Sequence, residues 1–387
     1  MRRHDLDWLR VLLFALLVLH HVAVGFAPFG ADIYGFANDR LGGDGLALWV
    51  YFNHTWRLPA LFLVAGIGTW FATARGAGAR VVGRRLYRLG LPLLFGTFVL
   101  NLAGGLAIAQ ATGAPLGQTA RDWWAAPEPA QVMHLWFLLN LILYTLLCWP
   151  LFALRARLGA RPLAPPVLLA CLALGVTAIA VAAKPHAPAL AGDGYQFPWY
   201  LGMFAAGYVI GAHHGPVLDW LARRWPWLLA AGLAGFALEA GLLGAALADD
   251  PALGAALASG GWAAEGLAPA YGARSLAFTV AEGLNAWAFA LAAMGACARW
   301  LRRDGPVLRA LSAATFPVYV LHFPLTLAGL AALAAVPWPW GVEFALLAVV
   351  VYAGSAALYL AARATGLPMT LIGGRARHAA AVPPAPA

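Results

Sequence analysis

Stretches of about twenty consecutive apolar residues recur along the whole chain, the length a helix needs to cross the hydrocarbon core of a bilayer. They fall roughly at 8–27, 46–73, 86–110, 133–154, 164–183, 196–214, 226–247, 274–298, 308–334 and 341–363. In lipid every backbone N–H and C=O must find its partner within the protein, so such runs are expected as spanning helices. Of the 387 residues, 62% are hydrophobic and 11% charged, against roughly 25% charged in a soluble globular chain. A soluble core could not absorb that much apolar surface, whereas lipid solvates it on the outside of a bundle. The expected fold class is all-α, a polytopic integral membrane bundle of about ten transmembrane helices over residues 1–370, with 371–387 a disordered cytoplasmic tail rich in Pro and Ala.

The net charge of +9 has its meaning in its distribution. With the N-terminus placed inside, the inner segments hold Arg2, Arg3 and Arg10, then Arg75, Arg80, Arg84, Arg85 and Arg88. Next come Arg155, Arg157, Arg161, Arg223 and Arg224. Arg299, Arg302, Arg303, Arg309, Arg363, Arg375 and Arg377 complete the set. Only Arg40, Arg57, Arg121, Lys184 and Arg274 fall outside or within spans. Alternate loops thus obey the positive-inside rule, which puts both termini in the cytoplasm. Nothing in the pattern resembles a nucleic-acid-binding module. The first apolar run, from Trp8 to Phe26, is longer than a signal-peptide core and holds Arg10, so it reads as an uncleaved span. Cys148, Cys171 and Cys297 sit in apolar runs without metal-ligand spacing, so no metal is expected. Segments 28–45, 111–132 and 248–273 read as outer loops or short re-entrant pieces.

Ionisable groups inside spans are costly and usually line a cavity. The first span carries Asp7, Arg10, His20 and His21. Eleven residues separate Arg10 from His21, about three helical turns, so both lie on one face roughly 16 Å apart along the axis. The second span carries His54 and Arg57 ahead of Pro59, near the expected depth of His21. Arg84, Arg85 and Arg88 share neighbouring positions at the inner end of the third span, where guanidinium groups suit phosphate oxygens. The same residues also read as membrane anchors and packed histidines. Later spans add His134-Leu135-Trp136 and Tyr319-Val320-Leu321-His322-Phe323-Pro324, and Glu239 and Glu282 lie in outer halves, free by position to pair with Arg57 or each other. There is no P-loop, no H-E-x-x-H and no G-x-S-x-G, which leaves histidine as the simplest catalytic group.

These motifs together resemble the acyltransferase type 3 family of membrane O-acyltransferases, and within it most closely the glucans biosynthesis protein C branch. Arg10 and His21 match its Arg-x10-His motif, and Arg85-Leu86-Tyr87-Arg88 its Arg-x-x-Arg motif. Trp56-Arg57-Leu58-Pro59, the His134 to Leu138 opening and the Phe316 to Pro324 segment match in order across nearly the whole chain. The resemblance implies transfer of an acetyl or succinyl group from an acyl-CoA-type co-substrate to a hydroxyl of a cell-envelope carbohydrate. It places the protein in a bacterial inner membrane, with no bound cofactor and an oligomeric state left open. It assigns His21 as general base, Arg10 as its catalytic companion, and Arg85, Arg88 and Arg84 as donor-binding groups. Asp7, His54, Arg57, His134, Trp136, Tyr319 and His322 would handle the acceptor or support the site. A membrane transporter or exporter using the same buried His and Arg residues is the rival reading, although no internal repeat is evident.

Overall fold

The computed structural model describes residues 3–36, 40–74, 76, 78–125, 129–160, 163–183, 196–249, 273–365 and 369–374. Arg2, Arg75, Arg161, Lys184, Arg375 and Arg377, most of 248–273 and the tail from 375 lie outside them, as does the side chain of Arg274. Every regular element among the described residues is helical. The long segments are α1 (His4–Val24), α2 (Gly43–Ala72), α3 (Ala79–Thr112), α4 (Trp136–Leu147) and α5 (Pro165–Ala183). Then come α6 (Gln196–Ala212), α7 (His214–Asp249), α8 (Ala273–Trp300), α9 (Pro306–Leu333) and α10 (Trp340–Thr365).

Seven of them are long and apolar enough to cross a bilayer: α1, α3, α5, α7, α8, α9 and α10. That supports a multi-pass membrane protein. Of the other three, α2 and α6 coincide with the expected runs 46–73 and 196–214, and one does not. The run 133–154 breaks: a 3₁₀ segment, Pro129–Leu135, leads into α4, and a separate short helix, Trp149–Ala153, follows it. Helices α2 and α6 lie inside the bundle, where polar groups have protein partners; α2 need not be as apolar as a lipid-facing helix, and the described part of α6 is 17 residues long. Buried Asn53, Thr55 and Arg57 on α2 and Gln196 on α6 illustrate this.

The two inner helices cross where each offers a glycine. A Cβ at Gly66 would stand 2.0 Å from the Phe204 carbonyl oxygen, and one at Gly207 would stand 2.0 Å from that of Leu63. Small residues let membrane helices approach to backbone contact, which is where their packing energy arises. Around this crossing lies the main core, including Leu9, Leu13, Phe62, Phe137, Tyr144, Tyr200 and Phe204. A smaller apolar cluster joins α1, α9 and α10 through Val18, Val22, Phe26, Leu330 and Val351.

Side-chain ties connect segments at each end of the bundle. At the N-terminal end His4 meets Asp304 (3.8 Å), Asp219 meets Arg302 (3.7 Å), and Arg155 donates to the Trp70 carbonyl and to Thr73 Oγ1. Arg155 also lies 3.6 Å from the Trp70 ring centroid, so it caps the C-terminus of α2, where the helix dipole favours a cation. At the opposite end Arg40 pairs with the fully buried Glu343 at 3.1 Å. The segment expected as an outer loop or short re-entrant piece over 111–132 contains an exposed helix, Leu116–Ala125. Its Trp123 indole donates to the Thr97 carbonyl, in a π-helical turn (Gly96–Leu100) within α3.

Candidate active site

Five of the chain's ten histidines converge on one region toward the C-terminal end of α1. His21 Nδ1 stands 2.7 Å from His322 Nε2, with the two rings nearly coplanar in orientation (7°). His322 Nδ1 in turn lies 2.6 Å from the Tyr319 carbonyl oxygen, one turn back on α9. A carbonyl only accepts, so His322 Nδ1 carries a hydrogen. In the neutral pair His322 Nε2 is then the acceptor, and His21 Nδ1 must be the donor. That order leaves the lone pair of His21 on Nε2. A backbone carbonyl, through one intervening imidazole, thereby selects the tautomer of His21. His322 is fully buried, while His21 is half-buried and its carbonyl accepts the Tyr34 hydroxyl at 2.7 Å.

Arg10 lies on the same side of α1. It donates to Ser312 on α9 and sits 3.6 Å from Asp7, one turn before it. Helices α1 and α9 therefore run parallel, tied at residues 10 and 312 and again at 21 and 322. Between the ties Phe14 packs edge-on to Tyr319, centroids 5.2 Å apart. The single face inferred for Arg10 and His21 is the face that α1 turns toward α9.

The second helix brings His54 and Arg57 to the same depth. The His54 ring stacks on His20 at 6.0 Å. Arg57, only 1% exposed, donates to the Leu16 carbonyl of α1 at 3.4 Å, and Asn53 reaches the same oxygen at 3.3 Å. Arg57 stands within electrostatic range of His20, His21, His54 and His322. Its charge thus sits inside the histidine cluster. Glu239 is held instead by the Tyr51 hydroxyl (2.5 Å) and the Asn285 amide (2.7 Å).

His134 lies against the other wall, edge-on to His322 at 5.0 Å and stacked on Phe323 at 4.8 Å. Its carbonyl accepts the Tyr319 hydroxyl at 2.6 Å. The residue before it, Met133, has φ 45° and ψ −133°, a conformation costly for a side chain with a Cβ. The Asn101 amide bonds the Gln131 and Val132 carbonyls, at 3.0 and 3.2 Å, and pins this turn. No sequence pattern marks Met133. Its positive φ belongs to the tertiary packing that seats His134. Trp136 packs farther into the core, on Phe62 and Tyr200.

The three arginines of α3 do not act as one surface patch. Arg84 and Arg88 are exposed, but Arg85 turns inward. It donates from Nε to Thr145 Oγ1 on α4 at 2.8 Å and lies 5.9 Å from the Phe204 ring on α6. An i, i+3 spacing alone puts Arg85 beside Arg88; the position of Thr145 decides that only one of them faces the interior. Among the described residues, no group of three or more His, Cys, Asp or Glu is arranged to hold a metal ion.

A family model described as an acyltransferase domain (acyltransferase 3) matches residues 3–360. The chain belongs to that family, which is made of acyltransferases. No curated protein and no solved structure matches it.

Proposed function

We propose that this acyltransferase moves an acyl group, acetyl or succinyl, from an acyl-CoA-type thioester to a hydroxyl of a cell-envelope carbohydrate, with His21 as general base. The observation that carries this reading is the His21–His322–Tyr319 chain, which leaves His21 Nε2 with an available lone pair. In the reaction the acceptor O–H proton passes to Nε2 as its oxygen attacks the thioester carbonyl. The C–S bond then breaks, and the departing thiolate recovers the proton from His21. Imidazole suits both transfers because one ring nitrogen can accept a proton while the other donates. Arg57, embedded beside these rings, would favour the oxyanion formed on attack.

Arg10 and Arg85 are the interior-facing arginines at the donor end in this reading, and Arg84 and Arg88 its exposed rim. Ten spans with both termini in the cytoplasm belong to this reading, and the alternating direction of the helices compared agrees with it. α1 runs parallel to α9 and antiparallel to α2, where Leu16 meets Arg57 and His20 meets His54. The arginine-rich segments at the N-terminal end fit the cytoplasmic side of a bacterial inner membrane. The motif order favours the glucans biosynthesis branch and hence succinate on a glucan.

The test is acylation of an oligosaccharide in proteoliposomes, followed by mass spectrometry of the product. Wild type should add the mass of the acyl group and release CoA thiol; His21→Ala should do neither while still inserting. A His21→Ala variant that acylates at the wild-type rate would sink the proposal. Lost transport of an unmodified solute with acylation intact would favour an exporter.

A further inference from the structure

A cavity of about 530 Å³ opens between the N-terminal end of α7 and the C-terminal end of α8, away from the histidine cluster. It is lined by Asp219, Ala222, Arg223 and Trp225 on α7, and by Arg299 and Arg302 at the end of α8. Three guanidinium groups face one carboxylate, and the Arg302–Asp219 contact is loose (3.7 Å) and more than half exposed, so it neutralises little. One turn deeper the two helices close. A Cβ at Gly295 would lie 2.5 Å from the Leu221 carbonyl oxygen and 2.8 Å from Trp225 Cβ. The cavity is thus a blind cationic cup at the N-terminal end of the bundle, the end where His4 meets Asp304.

Its surroundings are those of a lipid boundary. Trp225 and Trp300 pack edge-on at 4.7 Å, and Trp300 and Trp227 are 62% and 73% exposed. Indole rings collect at the headgroup level of a bilayer. Beyond them α7 presents Leu233 and Leu238 outward, and only 11% of its apolar window is buried in the protein. That outward stripe would run alongside acyl chains. Basic pockets between helices at this level take lipid phosphates.

We propose that this cup binds the phosphodiester headgroup of an anionic phospholipid, as a site separate from the acyl-transfer centre. Arg223, Arg299 and Arg302 hold the phosphate oxygens, and Trp300 packs on the glycerol and upper acyl segment.

The test compares two double variants that each remove two positive charges: R299Q/R302Q in the cup, and R224Q/R303Q on exposed neighbours outside its lining. Native mass spectrometry of the purified chain, titrated with cardiolipin and with phosphatidylcholine, reads affinity; donor KM is measured in parallel. R299Q/R302Q should weaken cardiolipin binding about tenfold, the order expected for lost charge-assisted bonds at a half-exposed site. R224Q/R303Q should stay within about twofold, as should phosphatidylcholine binding and donor KM in both pairs. Arg302 also bonds the Ala298 carbonyl, so Arg223→Gln, which leaves that bond intact, should weaken cardiolipin in the same direction. Equal losses in the two pairs would overturn the proposal in favour of general surface charge. A wild type with no preference for cardiolipin would overturn it too. A raised donor KM with unchanged lipid binding would give the cup to the donor's phosphates instead.

Discussion

Removing the His322 imidazole tests how the candidate base is prepared. In His322→Ala, His21 Nδ1 loses the acceptor 2.7 Å away, and the tautomer is no longer dictated by the Tyr319 carbonyl. The lost bond matters most in the transition state, when His21 holds a second proton and its Nδ1–H becomes a charge-assisted donor. Such bonds contribute about 1.5–3 kcal/mol. At 1.36 kcal/mol per decade that is about 10–160-fold in kcat. The donor should bind as before, because Arg10 and Arg85 use other partners, Ser312 and Thr145. The assay is CoA-thiol release in proteoliposomes with an oligosaccharide acceptor, with kcat and donor KM resolved separately. His322→Gln keeps an acceptor oxygen in reach and should recover part of the loss. Because His322 is proposed to act through His21, the His21→Ala/His322→Ala double variant should be no slower than His21→Ala. A full extra 10-fold loss in the double variant would refute the relay, as would an unchanged kcat in His322→Ala.

Other outcomes follow from single contacts. Arg85→Ala should raise donor KM at least tenfold, while Arg84→Ala changes it less than about threefold, since exposed charges contribute little; equal effects would return Arg85 to the role of a topology anchor. Gly66→Ala places a methyl 2.0 Å from the Phe204 carbonyl and should cost about 1–3 kcal/mol, read as a lower unfolding midpoint in micelles. Met133→Gly relieves a strained φ of 45° and should raise that midpoint slightly while lowering kcat by loosening His134; a lower midpoint would contradict the strain argument. Glu343→Gln weakens the pair with half-buried Arg40 and should cost about 1–2 kcal/mol, less than a fully buried pair; an unchanged midpoint would show that the tie contributes nothing.

Much of the bundle can be read from periodic runs and arginine placement, because lipid imposes length and polarity on each segment independently of its neighbours. What escapes this reading is how the helices shielded from lipid hold their polar groups. On α2, Arg57 sits at 1% exposure because α1 offers it a carbonyl, which no hydropathy window anticipates. The site follows the same division. The shared face of Arg10 and His21 is local helix geometry and is legible from an eleven-residue spacing. His322 as the partner of His21 is a contact across 301 residues of chain, and the inward turn of Arg85 depends on Thr145, 60 residues away. Glu239 could be singled out as a buried carboxylate, but its holders Tyr51 and Asn285 come from two other helices. The strain at Met133 and the π-helical turn leave no local signature at all.

The double tie between α1 and α9 has a consequence for which donors can be used. Both ties are on the backbone scale of unbroken helix, so the interval between Arg10 and His21 is set by eleven residues of helical rise, about 16 Å, and cannot stretch or shrink without unwinding α1. The pair works as a fixed gauge. If, as proposed, Arg10 holds the anionic end of the donor and His21 is the base, a donor delivers its carbonyl to His21 only when its linking arm spans that interval. On that proposal truncated thioesters would fall short and longer carriers overshoot, whatever acyl group they bear. Selection by reach would then precede selection by the acyl group itself.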